Sequence, residues 1–286
     1  MIIFAPIKNF TCDVSVIDLG NSLSIAKLNK EEIDELWKNF NQIPFLQLKA
    51  VKKEEIREME TYFHLKREVG EKITEGTSSE TWDLFDNVIS ALRIFKKELV
   101  WFNAIYTITP LSKSERFPKP YFESAPYHDI TKSLPAGYKL DKEEIVLFKQ
   151  FWDKFSKIPP NSPIITATIR FSEKIERYRK VDDHLIDCFI SFEFLFSDGG
   201  SESTHKIARR TAVFLEKNKD KRIRIYREMK RAYNERSNIV HGRKIDYKKI
   251  AKYYTKVEDY LRNCLRKIIE EEQYSKDTFL NKLDFN

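Results

Sequence analysis

Arg236 and His241 stand five positions apart near the end of residues 221–240, a stretch whose apolar side chains recur at helical spacing. An imidazole ionises near neutrality and can both take and give a proton. A guanidinium is permanently charged and binds a carboxylate or a phosphate with two parallel hydrogen bonds. Ile225, Met229, Ala232 and Ile239 form the apolar stripe, and Arg236 fills its gap. The stripe therefore turns Arg236 inward, where an uncompensated charge is costly. Arg236 needs a carboxylate, a phosphate or a water-filled cleft. Glu193 is a candidate partner, four residues after Phe189 on the apolar face of residues 182–196, and Arg210 competes for it. A buried ion pair from Glu193 to Arg210 or Arg236 is predicted, and a purely structural bridge would satisfy the same pattern.

His241 is followed by Gly242, the residue that most readily takes the left-handed conformation ending a helix. A histidine there can act merely by favouring the helix dipole. Positions five apart on an ideal helix diverge by about 140°. Arg236 and His241 share a site only if the helix end unwinds or a second copy of the chain completes it. Ser237 and Asn238 lie between them and can orient His241 or a phosphate oxygen. His205 is read as solvent-facing, and His64, His128 and His184 form no spacing with Cys or acids that would hold a structural zinc.

The elements that must position these residues are helical. Asp141 with Glu144 forms a capping box opening a helix to about residue 157, which Pro159-Pro160 stops. Asn161 or Ser162, followed by Pro163, begins the next, running to about residue 179. Helices over 182–196, 201–215, 221–240 and 246–272 follow, joined by short connections. Upstream the pattern is mixed. Strands are predicted over 12–19 and 23–28 around Gly20-Asn21, then a helix opened by the Asn29/Glu32 capping box through about residue 40. Strands over 45–51, 61–69 and 99–109 and a helix over 79–97 complete that half. Five prolines between 110 and 135 mark the connection. The expected organisation is an α+β domain over 1–139 and an all-α bundle over 140–286.

The charge is unevenly placed. Residues 201–286 hold 23 basic and 13 acidic side chains, a net of +10, whereas residues 1–200 carry −3. A local basic field attracts polyanions. No run approaches the roughly 18 apolar residues of a membrane helix, and Met1–Pro6 lacks the features of a signal peptide. Three distant cysteines (Cys12, Cys188, Cys264) fit neither a disulfide framework nor a metal site. Free thiols in a reducing cytoplasm are expected, with no cofactor.

The segment from Tyr233 through Arg236 and Ser237 to His241-Gly242 resembles the signature of the Apea-like HEPN family. The likeness extends to Phe192-Glu193-Phe194-Leu195-Phe196, to Glu202 with Lys206 through Ala212, to Ala167–Phe171 and, weakly, to Asp18–Asn21. It covers about residues 140–272. The resemblance implies a helical bundle that dimerises and cleaves RNA without a metal, by attack of a 2′-hydroxyl on the adjacent phosphorus. Arg236 and His241 would be catalytic, with Ser237, Asn238, Glu193 and Arg210 supporting them. Arg243, Lys244, Lys206 and Arg209 would contact RNA. A homodimer is expected, partly because Phe189, Phe192, Phe194 and Phe196 are spread round one helix. Rival expectations are a dimer that binds RNA or a nucleotide without cutting, and a scaffold in antiviral defence or a toxin–antitoxin pair with a protein antitoxin or regulator.

Overall fold

The computed structural model describes residues 1–41, 59–70, 75–108, 123–124, 137–176, 180–199 and 203–285. An antiparallel sheet region is followed by a mostly helical part. Two compact units divide at Asp153 and Lys154, not at the expected boundary between 139 and 140. The expected strand over 45–51 and most of the Pro-rich stretch lie outside the described residues.

In the first unit a six-stranded sheet has the order β3-β4-β5-β1-β6-β7. Its strands are β1 (Ile2–Pro6), β3 (Val16–Gly20), β4 (Leu23–Ala26), β5 (His64–Glu68), β6 (Ala104–Ile108) and β7 (Glu123–Ser124), and each pairing is antiparallel. β1 lies inside the sheet, and its consecutive residues Ile3, Phe4 and Ala5 are all buried. Successive side chains point to opposite faces, so both faces are covered. On one, Phe4, Tyr106 and Ile108 cluster with Leu36, Ile33 and Trp37 of α1 (Lys30–Asn41). α1 opens as the sequence requires: Glu32 N–H donates to Asn29 Oδ1 (2.9 Å) and Asn29 N–H to Glu32 Oε2 (2.8 Å). α2 (Glu75–Phe95) contributes Phe85, Val88, Ile89 and Leu92 to the core.

The predicted strand over 12–19 is two strands. β3 enters the hairpin with β4, whose turn places Gly20, Asn21 and Ser22 at φ of 81°, 51° and 61°. β2 (Phe10–Cys12) instead pairs in parallel with β8 (Tyr138–Leu140). β8 runs directly into α3 (Lys142–Phe155), capped reciprocally by Asp141 and Glu144. α3 was expected in the helical bundle, but its body belongs to the first unit. Phe148 meets Phe95 of α2 edge-on at 5.5 Å and Phe151 packs tilted on it at 5.9 Å, Lys96 bridges to Glu144 at 2.7 Å, and Trp152 Nε1 donates to the Leu19 carbonyl at 3.1 Å.

The second unit is a bundle of α4 (Pro163–Glu176), α5 (Val181–Phe196), α6 (Ser203–Leu215), α7 (Lys219–Val240), α8 (Tyr247–Glu270) and α9 (Lys276–Asp284). α5 is its centre, packed by α4 and α8 and buried at Leu185, Phe189, Phe192 and Phe196. Local chemistry sets the starts. Ser162 Oγ accepts from Ile165 N–H ahead of Pro163, Asn218 caps α7, and Asp246 caps α8. α9 lies beyond the last helix expected. Its Phe279 packs on Phe214 (4.9 Å) and Phe196 (5.6 Å). Phe189, Phe192 and Phe196 are thus absorbed within one chain, and of the four phenylalanines only Phe194 stays exposed, at 37%. The apolar surplus of this helix therefore does not itself demand a second copy. Cys188 and Cys264 are buried free thiols and Cys12 is a half-buried one. No described helix is long and apolar enough to cross a membrane.

Candidate functional site

The C-terminal end of α7 carries Arg236, Ser237, Asn238 and His241, and its geometry is that of a Schellman stop. Gly242 takes φ +64°; its N–H donates to the Ile239 carbonyl (3.0 Å) and that of Arg243 to the Asn238 carbonyl (2.9 Å). His241 is the C-cap, with φ −89° and ψ 11°, and its N–H donates to the Ser237 carbonyl. The helix does not unwind before it. Arg236 and His241 consequently stay about 140° apart around the axis, and His241 is exposed.

Arg236 leaves the core side of α7 only partly. Its side chain is 22% exposed, while the neighbouring Glu235 is the buried charge of the pair, at 9%. The guanidinium folds over the Tyr233 ring, 5.4 Å from its centroid, and Tyr233 in turn meets Phe189 edge-on at 5.1 Å. Arg236 Nη2 lies 3.6 Å from Glu193 Oε1, a loose ion pair open to solvent on both sides, and Arg236 Nε is buried with no hydrogen-bond partner. Glu193 thus stands at ion-pair distance from Arg236 but outside the predicted hydrogen-bonding reach, and the pair is not buried, because Glu193 sits in the last turn of α5 beside exposed Phe194. Such a pair contributes at most about 1 kcal/mol.

Arg210 does not compete for Glu193. It is 2% exposed and donates Nε to Asp284 Oδ1 (3.0 Å), Nη2 to Asp198 Oδ2 (3.0 Å) and Nη1 to the Phe196 carbonyl (2.6 Å). Arg210 holds the Asp284 carboxyl below its usual range, first through this hydrogen bonding. Two residues expected to meet RNA are drawn into the same network: Lys206 bridges to Asp198 at 2.9 Å and Arg209 to Asp284 at 3.1 Å. Arg243 and Lys244 remain exposed, with Arg243 Nη1 3.3 Å from Asn238 Oδ1. Asp284 lies on α9, which carried no signal strong enough to read, and long-range ion pairs leave no spacing in a sequence.

Two acids of α7, Glu228 and Glu235, face α8. Glu235 pairs with Lys249, and Glu228 with Lys256 and the Tyr260 hydroxyl. Burial alone would raise the Glu228 carboxyl, but Lys256 and Tyr260 outweigh it and hold it below the usual range. Glu235 keeps the Lys249 ammonium above its ordinary value. Away from those acids α7 carries Arg227 and Lys230, and nearer to them Arg231; these three make no ion pair among the described residues. His205 is exposed as expected, yet its Nδ1 lies 2.9 Å from the Tyr226 hydroxyl. Among the described residues no group of three or more His, Cys, Asp or Glu is placed to hold a metal ion.

The arrangement offers a solvent-facing imidazole at a fixed helix end, a guanidinium with an unmet donor, and a cationic face between them and the start of α7. No protein-family model, curated protein or solved structure matches this chain.

Proposed function

We propose that the helical unit is an RNA-cleaving module of the HEPN type, acting as a homodimer. The observation that carries the proposal is the end of α7, where His241 is presented to solvent and Arg236 keeps a buried, unpartnered Nε and only a loose carboxylate partner. In the reaction the 2′-oxygen of a ribose attacks the adjacent phosphorus and loses its proton to a base. The bond from phosphorus to the 5′-oxygen breaks and that oxygen takes a proton. His241 serves one of these transfers. Arg236 exchanges its contact with Glu193 for the phosphate and stabilises charge developing on it. The products are a 2′,3′-cyclic phosphate and a 5′-hydroxyl. A two-fold axis near the end of α7 supplies Arg236 from one copy and His241 from the other, which removes the 140° divergence. DNA, lacking the 2′-hydroxyl, resists. A role in defence or stress response fits such an activity.

That divergence on an unbroken helix also favours a second reading, a module that binds RNA without cutting it. Incubation of mixed RNA with the purified chain in EDTA, alongside His241→Ala, separates them. Cutting that survives EDTA and disappears in the variant supports the nuclease. Retention of RNA without cutting supports the binding module, and neither result leaves a protein-binding scaffold.

A further inference from the structure

α7 sorts its charges by face. The carboxylates of Glu228 and Glu235 turn toward α8 and are neutralised there. At 100° per residue, Tyr226, Lys230, Ser237, His241, Asn234 and Arg227 fall within an arc of about 100° on the other side, and all are exposed or half-exposed. Arg231 borders the arc. No acid falls within this arc; Asp220, in the first turn, lies about 20° beyond its Arg227 edge.

Tyr226 gives this face a chemical character beyond charge. Its hydroxyl is held by His205 Nδ1 at 2.9 Å, with the two rings nearly perpendicular at 79°. The ring is fixed from its polar tip, so little freedom remains to be lost when a flat ligand stacks on it. Lys230 Nζ lies 5.5 Å from the same ring centroid and has no carboxylate partner among the described residues. Its ammonium covers the ring loosely and is free to move to a phosphate, one helical turn nearer His241.

We propose that this face of α7 is a track for single-stranded RNA, with Tyr226, braced by His205, as a base-stacking platform and Arg227 and Lys230 as phosphate contacts. The inference rests on the RNA reading for its ligand and not for its chemistry. An aromatic platform set among cations is what an unpaired strand uses, since every base has a flat face and every nucleotide a phosphate. A duplex keeps its bases inside the stack and cannot use Tyr226. From Tyr226 to His241 the helix rises about 22 Å, the length of about six stacked nucleotides. The strand is thus seated at one end by its base and delivered at the other to the imidazole. Asn234 and Ser237 supply neutral donors along the way.

The test measures fluorescence anisotropy of a labelled twelve-nucleotide 2′-O-methyl RNA, which has no free 2′-hydroxyl and cannot be cut, with the full chain. Tyr226→Leu is expected to weaken binding about tenfold, and Tyr226→Phe, which keeps the ring, to weaken it no more than about threefold. Lys230→Gln should weaken it and lower the slope of log affinity against log salt by about 1. Thermal melting of each variant shows whether it is folded, and Lys230→Gln alters only an exposed side chain. The track is overturned if Tyr226→Leu, melting as the parent does, binds as tightly. It is equally overturned if duplex RNA binds as well, or if polyglutamate of matched charge competes as effectively. Strand binding that depends on Tyr226, with no RNA cut by any variant, keeps the track and rejects the nuclease. Cutting that needs His241, with binding indifferent to Tyr226, rejects the track and keeps the nuclease.

Discussion

The guanidinium of Arg236 meets the carboxylate of Glu193 at 3.6 Å, across the gap between α7 and α5, with both side chains partly in water. A pair so placed restrains Arg236 weakly and leaves it able to change partners. Arg210, one helix away, is fixed by two carboxylates and a carbonyl. The two arginines of the bundle that a sequence would rank together therefore have different work.

Glu193→Gln should leave stability within about 1 kcal/mol of the parent, the range of exposed ion pairs. Urea denaturation measures it. A loss of about 3 kcal/mol or more would mean that the pair is a buried structural bridge after all.

Asp284→Asn should be much more damaging, at about 2–4 kcal/mol, because it strips a carboxylate from the buried Arg210. Asp198 and the Phe196 carbonyl keep the cost from being larger. The Asp284 carboxyl lies below its usual range in the fold. Its stabilisation is present above the unfolded value of about 3.9 and is lost as pH falls through the folded one. Urea midpoints for the parent and variant should converge below about pH 4, and curves that stay apart would locate the acid sensitivity elsewhere.

His64, fully buried in β5, has its imidazole pushed down to about 3, first of all by burial. The unfolded side chain titrates near 6.5, so between these values only the unfolded chain takes up the proton. Stability is complete above about pH 6.5 and declines as pH falls toward 3, by up to about 1.4 kcal/mol per pH unit from this group. His64→Leu should flatten that limb of a stability profile; a slope identical to the parent's would clear His64 of the effect.

Mixing Arg236→Ala chains with His241→Ala chains tests the shared site. Each variant alone should be inactive. Random pairing makes half the dimers mixed, and each mixed dimer holds one intact site of two, so about a quarter of parental RNA cutting should return. A mixture as silent as its parts would place both residues of a site on one chain.

What could be read in advance was local. The Asn29/Glu32 and Asp141/Glu144 boxes declare themselves within four residues, and both form. Gly242 announces its left-handed turn in the same way. The Glu193–Arg236 contact was legible because both residues interrupt apolar stripes, but its exposure was not, since a stripe shows direction and not depth. β8 and α9 were missed for a related reason. Three residues of strand and a helix of nine hold too few apolar positions to display a period, and each is fixed by distant partners: Phe10–Cys12 for β8, Arg210 and Phe214 for α9. Tyr226 carried no signal, and His205 read only as solvent-facing, because their contact joins two helices.

The parallel ladder between β2 and β8 sets a timetable for the nascent chain. Phe10 must wait for Tyr138, and the Leu19 carbonyl for the indole of Trp152, 133 residues later. At ribosomal speeds of 5–20 residues per second that wait is roughly 6 to 27 seconds. Contacts so remote in sequence also close slowly once both ends exist. Through that interval β2 has no ladder partner. When Leu140 is added to the chain, α4 to α9 are still to be made. Arg236 and His241 are therefore translated only after the strands that precede them have had their chance to assemble.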